Sequence, residues 1–178
     1  MQNIITTNRT IDSILLAHSN KLGDDNLKYR NHVYRGFNLT LTLYEPKGDD
    51  YTALEVAAAC HDIGIWTAKT FDYLAPSVSR ANQYLSQNGL SYLDNRVAEI
   101  INNHHKLSTY KLNPLVEAFR KADLIDLSFG IINFGVKKEM LKALDNIFPS
   151  LGFHRFIVGQ SIKNTFRHPL NPLPMMKR

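Results

Sequence analysis

The sequence feature that most constrains the fold is an alanine-rich apolar segment, residues 53–60, which runs directly into His61 and Asp62. Its small side chains allow close approach of neighbouring helices and suit a buried central helix. Gly64 follows the pair and predicts the end of this helix. Neighbouring residues point about 100° apart within a helix, but the backbone at a helix end can turn both toward one point. An imidazole and a carboxylate placed together are suited to a divalent metal, and they need further ligands from elsewhere in the chain.

The rest of the chain also follows helical periodicity, with short breaks and without the sustained alternation that is typical of a sheet. Predicted helices cover residues 10–22, 25–44, 49–62, 76–88, 95–106, 114–126, 136–147 and 153–165, with an irregular stretch at residues 65–75. Thr10 or Asp12 is expected to cap the first helix, and Asn113 with Pro114 to open the sixth. We therefore expect an all-α helical bundle in a single domain, residues 1–167, followed by an extended, proline-rich basic tail, residues 168–178.

Composition and charge restrict the class of protein. The 178 residues are 44% hydrophobic, which is enough for one core, and the net charge of +5 favours anionic partners. The single cysteine, Cys60, excludes an intramolecular disulfide, and no apolar run reaches the roughly 18 residues of a membrane span. The N-terminus also lacks the order of a secretory signal. We expect a cytoplasmic protein with no membrane partner. The charge fits nucleotides, phosphate esters and a nucleic-acid surface equally well. The preference for a small phosphorylated substrate over nucleic acid comes from the motifs described below. Formation of a homo-oligomer is compatible with the sequence.

Further ligand-type side chains fall on other predicted helices. His32 lies within the second helix, and His104 and His105 end the helix that begins near Asn95. Asp123 lies on the helix after Pro114, where Asp126 is a reserve ligand or a solvated capping group. Two imidazoles and two carboxylates leave open positions on an octahedral ion, which suits Mn²⁺, Fe²⁺, Co²⁺ or Ni²⁺ and is tolerable for Zn²⁺ or Mg²⁺. Such an ion acidifies a bound water and stabilises a phosphoryl group under attack.

The order and spacing of these pieces resemble the HD-domain superfamily of metal-dependent phosphohydrolases. The matching pieces are His32 in its Asn-His-Val-Tyr-Arg segment, the doublet in Cys-His-Asp-Ile-Gly, and Asp123 in Lys-Ala-Asp-Leu, within residues 24–128. The resemblance implies an HD-domain-like helical bundle and hydrolysis of a phosphate ester such as a nucleotide. It also implies that one divalent metal ion is bound by His32, His61, Asp62 and Asp123.

Roles for the neighbouring polar residues follow from this assignment. Asp62 is expected to be catalytic as well as a ligand, and His104 to protonate the leaving group, because imidazole titrates near neutral pH. The roles of His104 and His105 are open to exchange, and a helix C-terminus attracts histidine through its dipole alone. The expected substrate contacts are His105, Lys106, Arg35 and Lys28, for which the alternative is an ordinary surface charge.

Two departures from the family pattern narrow the prediction. Members with two metal ions carry another histidine between the doublet and the His-His pair, whereas no histidine occurs between Ile63 and Asn103, so we expect one ion. Members that act as deoxynucleoside 5′-monophosphatases carry an acidic residue at the position of Ile65, so that specificity is not expected here.

Two other functions remain open. The aromatic segment after Gly64, with Trp66, Phe71 and Tyr73, resembles members that hydrate or hydrolyse small carbon–nitrogen compounds. These aromatic side chains can stack a base, although packing in the core is the more common role of such residues. The third possibility is a catalytically silent module that binds a nucleotide or a protein.

Overall fold

The computed structural model describes residues 3–171 and 173–176, and this part of the chain is all-helical, as the periodicity predicts. The helices are α1 (Arg9–Ala17), α2 (Ser19–Leu22), α3 (Asn26–Leu43), α4 (Asp49–Cys60), α5 (Gly64–Thr67), α6 (Leu74–Gln87), α7 (Asp94–Asn103), α8 (Pro114–Leu127), α9 (Lys138–Ile147) and α10 (Phe153–Arg167). Residues 1 and 2 of the predicted domain, and tail residues 172, 177 and 178, lie outside the described residues. No helix of the described chain combines the length and the apolar composition needed to cross a membrane.

Local sequence explains where two of these helices begin. Asn113 caps α8 by accepting a hydrogen bond from the Leu115 N–H at 3.0 Å, and Pro114 occupies the first turn. The cap of α1 differs from the prediction. Asn8 accepts from the Ile11 N–H at 3.0 Å, so the helix begins at Arg9, before the predicted caps Thr10 and Asp12.

Helix α4 lies at the centre of the bundle and packs against α1, α3, α6 and α7. Its residues Ala57, Ala58, Ala59 and Cys60 are fully buried, which confirms the close packing expected of small side chains. Helix α3 packs chiefly along α8. These two packing arrangements bring the C-terminal end of α4 to the middle of α3 and α8.

Gly64 has a different role from the helix stop that the sequence suggests. It begins α5, and its backbone lies against the segment that opens α6. A Cβ at this position would lie 2.4 Å from the Tyr73 carbonyl oxygen and 2.9 Å from Ser77 Oγ. The glycine is therefore required by close approach of two backbone segments. The stretch predicted as irregular is also partly helical, because α5 occupies Gly64–Thr67 and α6 begins at Leu74, before Pro76.

Candidate metal centre

Four side chains from three parts of the chain meet at the C-terminal end of α4. His32 Nε2 on α3 lies 2.9 Å from His61 Nε2, and it lies 3.6 Å from both Asp62 Oδ2 and Asp123 Oδ1. The His61 Nε2 atom is 3.6 Å from Asp62 Oδ2 and 3.9 Å from Asp123 Oδ1. All four residues are buried. The helix end therefore turns the doublet toward one point, and α3 and α8 supply the other two donors.

The ring of His61 is oriented by the last turn of its own helix. The backbone N–H of His61 donates to the Ala57 carbonyl at 2.8 Å, and its Nδ1 lies 2.8 Å from the Ala58 carbonyl oxygen. A carbonyl can only accept, so Nδ1 carries the proton and Nε2 presents its lone pair to the cluster. This tautomer is the one that a metal ligand requires.

The ring of His32 is held by a carboxylate that the sequence reading left as a reserve ligand. The Nδ1 atom of His32 donates to Asp126 Oδ2 at 2.6 Å, and Phe153 stacks on the imidazole with ring centroids 4.0 Å apart. Asp126 is buried, so the solvated alternative is wrong. A carboxylate behind a histidine is the usual arrangement for orienting a metal-binding imidazole.

We call His32, His61, Asp62 and Asp123 the metal-type cluster. Arg35 lies behind this cluster, is fully buried, and contacts Asp126 through its guanidinium. One terminal nitrogen donates to Asp126 Oδ2 at 3.0 Å and the other to the Phe148 carbonyl at 2.7 Å. This position replaces the predicted substrate contact by a structural one, because the side chain holds the carboxylate that orients His32. Its spacing from His32, one turn along α3, arises from this shared partner.

His104 and His105, at the end of α7, face the opposite side of the same two carboxylates. His104 Nδ1 donates to the Ile101 carbonyl at 2.6 Å, and its Nε2 lies 3.3 Å from Asp62 Oδ1. His105 Nδ1 lies 3.2 Å from Asp123 Oδ2, and its Nε2 is 2.6 Å from the Tyr73 hydroxyl. Asp62 and Asp123 therefore each present one oxygen to His32 and His61 and the other to the His104 and His105 pair.

This division of the carboxylate oxygens offers donors for two ions where the sequence suggested one. Ligand atoms of His32, His61 and Asp123 form one compact group, and those of His104, His105 and Asp123 form another, each within 4.8 Å. The second group requires no histidine between the doublet and the His-His pair. A third group of ligand atoms, from His61, Asp62 and His104, links the other two, so the single ion stays a prediction.

The donor set fits a metal ion by a separate criterion. Asp62 Oδ1, His104 Nε2 and both carboxylate oxygens of Asp123 are buried and find no hydrogen bond of acceptable geometry within the described part of the chain. Buried polar atoms without partners are rare, because each loses its interaction with water without replacement. A cation between these atoms satisfies several of them at once.

The pKa values of His32 and His61 are shifted in opposite directions. Burial alone lowers the pKa of His32, but hydrogen bonds to Asp126 and Asp62 and the nearby negative charges raise it to about 9. Burial lowers the pKa of His61 to about 4, against the opposing charge of Asp62. Burial alone raises the pKa of both carboxyls, but nearby histidines lower it, chiefly His61 and His104 for Asp62 and His105 for Asp123. His61 is thus neutral and both carboxylates are charged, whereas His32 is protonated at neutral pH and must release its Nε2 proton when an ion binds.

A cavity of about 260 Å³ opens beside the cluster, and we call it the apolar cavity. Its polar end is lined by His104, His105, Lys106, Arg120 and Asp123. Its apolar walls include Leu107, Leu124, Leu127, Ile157, Leu173 and Met175. The tail was expected to be extended and separate, but Met175 is only 4% exposed and closes one side of this cavity.

The remaining predicted substrate residues lie in different places. Lys106 lines the apolar cavity, consistent with its predicted position near a substrate. Lys28 does not line it. Its Nζ forms an ion pair with Asp25 at 2.7 Å and lies 5.5 Å above the centre of the Phe156 ring. The structure thus gives Lys28 a surface ion pair, the alternative reading of the sequence.

The sequence named three further residues that shape the site, but it assigned each of them a different role. Asp126 and Arg35 form the support of His32, and Tyr73 contacts His105. Asp126 lies three positions after Asp123, so helical spacing indicated that the two share a face of α8. Nothing in the sequence indicated the contact of Tyr73 with His105, because it depends on how the segment before α6 crosses the end of α7.

Comparison with known proteins adds no family assignment: no protein-family model, curated protein or solved structure matches this chain at a significant level. The fold and the site therefore define the class on their own. This is an all-helical protein with a buried histidine and aspartate cluster able to hold a metal ion, an arrangement consistent with an HD-like fold.

Proposed function

We propose that the protein is an HD-type, metal-dependent hydrolase of a phosphate ester. The observation that carries the proposal is the convergence of His32, His61, Asp62 and Asp123 around buried oxygen and nitrogen atoms that lack hydrogen-bond partners. The polar atoms of a structural network normally have hydrogen-bond partners, whereas the ligand atoms of a metal site gain theirs only when the ion binds. The arrangement of donors at helix ends, with a cavity opening beside them, supports a catalytic site over a closed structural one.

His32, His61, Asp62 and Asp123 would hold the ion, and a divalent ion supplies a positive charge that acidifies water and stabilises a phosphoryl oxygen. His105 is the protein group best placed to exchange a proton with substrate, because its ring is partly exposed and hydrogen-bonded to Tyr73. His104 is fully buried with its Nδ1 held by Ile101, so its Nε2 acts on Asp62 or on an ion. This reverses the predicted roles of the two histidines.

Lys106 and Arg120 form the cationic part of the apolar cavity. Arg120 is held by two bonds to Glu117, at 2.7 and 2.8 Å, and it donates to the Lys106 carbonyl at 3.2 Å. It therefore positions the backbone of Lys106 at the cavity wall. The Lys106 ammonium is the phosphate contact in this proposal, and the apolar walls receive the organic part of the ester.

The test is hydrolysis of a panel of phosphomonoesters and nucleotides with Mn²⁺, Co²⁺, Ni²⁺, Zn²⁺, Fe²⁺ or Mg²⁺ supplied in turn. We expect metal-dependent turnover that falls at least about a hundredfold in Asp62→Asn protein. The exposed Asp72→Asn is the matched control, with the same change of charge on the surface, and should leave turnover unchanged. Equal turnover in chelated and metal-loaded protein would refute the proposal. Elemental analysis of the same samples gives the number of ions per chain.

A second candidate is hydration or hydrolysis of a small carbon–nitrogen compound at the same centre. The observation in its favour is the apolar lining of the cavity around a small polar end, which suits a small uncharged molecule. Small nitriles and amides are therefore included in the panel. Metal content without turnover of any compound, together with thermal stabilisation by a nucleotide, would favour the silent binding module instead.

A further inference from the structure

A second cavity, of about 350 Å³, lies apart from the metal-type cluster, and we call it the basic cavity. Its walls come from α2, from the segment around α5, and from one face of α10 that carries Phe156, Gln160, Lys163 and Arg167. The neighbouring face of α10, with Ile157, lines the apolar cavity. The two cavities therefore lie on adjacent faces of one helix, and Phe71 borders both.

The charged side chains around the basic cavity are mostly positive. Lys21, Lys69, Lys163 and Arg167 come from three separate parts of the chain and line the same space. Within residues 3–171 and 173–176, none of these four side chains forms an ion pair with a carboxylate. Like charges gathered around a concavity repel one another and create a positive potential that attracts a counter-charge from solution.

Asp25 is the carboxylate that lines this cavity among the described residues, and its charge is already engaged. Its oxygens accept from the Trp66 indole N–H at 2.8 Å and pair with Lys28 at 2.7 Å. Burial alone raises the pKa of Asp25, but these partners lower it overall, so Asp25 stays charged while directed at them. It therefore leaves the four cations without compensation.

The end of α5 brings Lys69 to the rim of the basic cavity. Lys69 follows the C-cap residue Ala68 and has φ of +53°, the left-handed conformation that commonly ends a helix. Glycine is the usual residue at such a position, so here the helix end presents a lysine side chain to the cavity.

Two of the aromatic side chains that line the cavity are already engaged with other groups. Trp66 and Phe156 stack on each other with ring centroids 5.2 Å apart and planes at 11°, and Lys28 covers the Phe156 ring. The basis for recognition that the lining offers most clearly is therefore charge. Four cations match an anion of about four charges, and two phosphate groups carry about that number, at roughly 1.5 to 2 each.

We propose that the basic cavity binds a small phosphorylated anion with two or more phosphate groups, through Lys21, Lys69, Lys163 and Arg167. The cavity volume is at the lower end for small-molecule sites, which fits a compact ligand. Binding here requires neither a metal ion nor hydrolysis, so the proposal stands apart from the proposed function. The shared border at Phe71 and α10 places this anion next to the apolar cavity.

The experiment is calorimetric titration of the full chain with inorganic pyrophosphate and tripolyphosphate, with a chelator present so that the metal-type cluster is not loaded. The test protein is the double variant Lys163→Glu with Arg167→Glu. The matched control is Lys138→Glu with Lys142→Glu, which makes the same charge change at exposed positions on α9 away from the cavity. A Lys106→Ala protein reports binding in the apolar cavity.

We expect pyrophosphate binding to weaken about tenfold or more in the α10 variant and to stay within about twofold in the other two proteins. Equal weakening of pyrophosphate binding in the α9 control would mean that the net charge of the protein, and not the basic cavity, causes the loss, and would overturn the proposal. Loss of binding in Lys106→Ala would place the anion in the apolar cavity and overturn it as well. Circular dichroism of each variant confirms that the exposed substitutions leave the helical fold intact. Loss of metal-dependent turnover by Asp62→Asn, with pyrophosphate binding retained, separates this result from the proposed function.

Discussion

The buried contact between Asp126, His32 and Arg35 gives the sharpest test of how the metal-type cluster is organised. Asp126 accepts from His32 Nδ1 at 2.6 Å and also pairs with the guanidinium of Arg35. Burial alone raises the pKa of Asp126, but these two partners hold it well below its ordinary value. The change Asp126→Asn keeps the size of the side chain and removes the charge. It separates the orientation of His32 from the mere presence of the imidazole.

The expected magnitudes follow from the two contacts. A carboxylate behind a metal-binding histidine is worth about 10- to 100-fold in metal affinity, so Asp126→Asn should weaken Mn²⁺ or Zn²⁺ binding by that factor. The substitution also leaves Arg35 as a buried charge without its counter-charge, which costs about 3 kcal/mol of unfolding free energy. For a chain of this size that corresponds to a fall in Tm of about 6 to 12 °C.

The assay is competition for metal against a fluorescent chelator, with calorimetric unfolding of the metal-free protein measured in parallel. The double variant Asp126→Leu with Arg35→Met is the control, because it removes both charges of the buried pair. It should recover most of the stability lost in Asp126→Asn while leaving metal affinity low. An Asp126→Asn protein that binds metal as tightly as the original chain would refute the orienting role assigned to this carboxylate.

Three further predictions test the site and its surroundings. His61→Ala should abolish metal retention and metal-dependent activity, as elemental analysis and turnover would show; metal retained in full would exclude His61 as a ligand. Gly64→Ala should lower the unfolding free energy by about 3 kcal/mol in urea denaturation, because the new Cβ would collide with the Tyr73 carbonyl; an unchanged midpoint would contradict this contact. Burial alone raises the pKa of Glu117, but hydrogen bonds from Arg120 and the Tyr110 N–H lower it to about 2. The charged Glu117 therefore stabilises the fold above about pH 4.5, and this contribution is lost as the pH falls toward 2. Glu117→Gln should therefore cost about 1 kcal/mol at pH 6, after screening by solvent, and nearly nothing at pH 2, so an equal loss at both pH values would rule out the charge as the cause.

The sequence indicated much of the fold because the relevant signals are local. Helical periodicity depends on residues three and four positions apart, so the all-α class could be predicted without tertiary information and is confirmed. The Asn113 and Pro114 pair marked the start of α8 for the same reason. The cap of α1 was placed too late because several polar residues near Arg9 can cap, and packing selected Asn8, which also contacts Glu55 at 2.6 Å.

The candidate ligands could also be named from the sequence, since histidine and aspartate at helix ends are recognisable by residue type and spacing. His32, His61, Asp62 and Asp123 do converge in the structure. The roles of the neighbouring residues depended on where each side chain points, which the sequence does not give. Arg35 lies one turn from His32 and looked available to a substrate, but the crossing of α3 and α8 turns its guanidinium inward to Asp126.

The sequence by itself therefore determined the all-helical class, the buried character of α4 and the set of side chains able to bind a metal. Only the tertiary structure decided that Asp62 and Asp123 divide their oxygens between two pairs of histidines, that Asp126 supports the cluster, and that Met175 closes the apolar cavity. The physical reason is that helix formation depends on neighbours along the chain, whereas a carboxylate acts through the atoms around it. Those atoms belong to helices up to about ninety residues apart, as His32 and Asp126 are, and their meeting is set by packing alone.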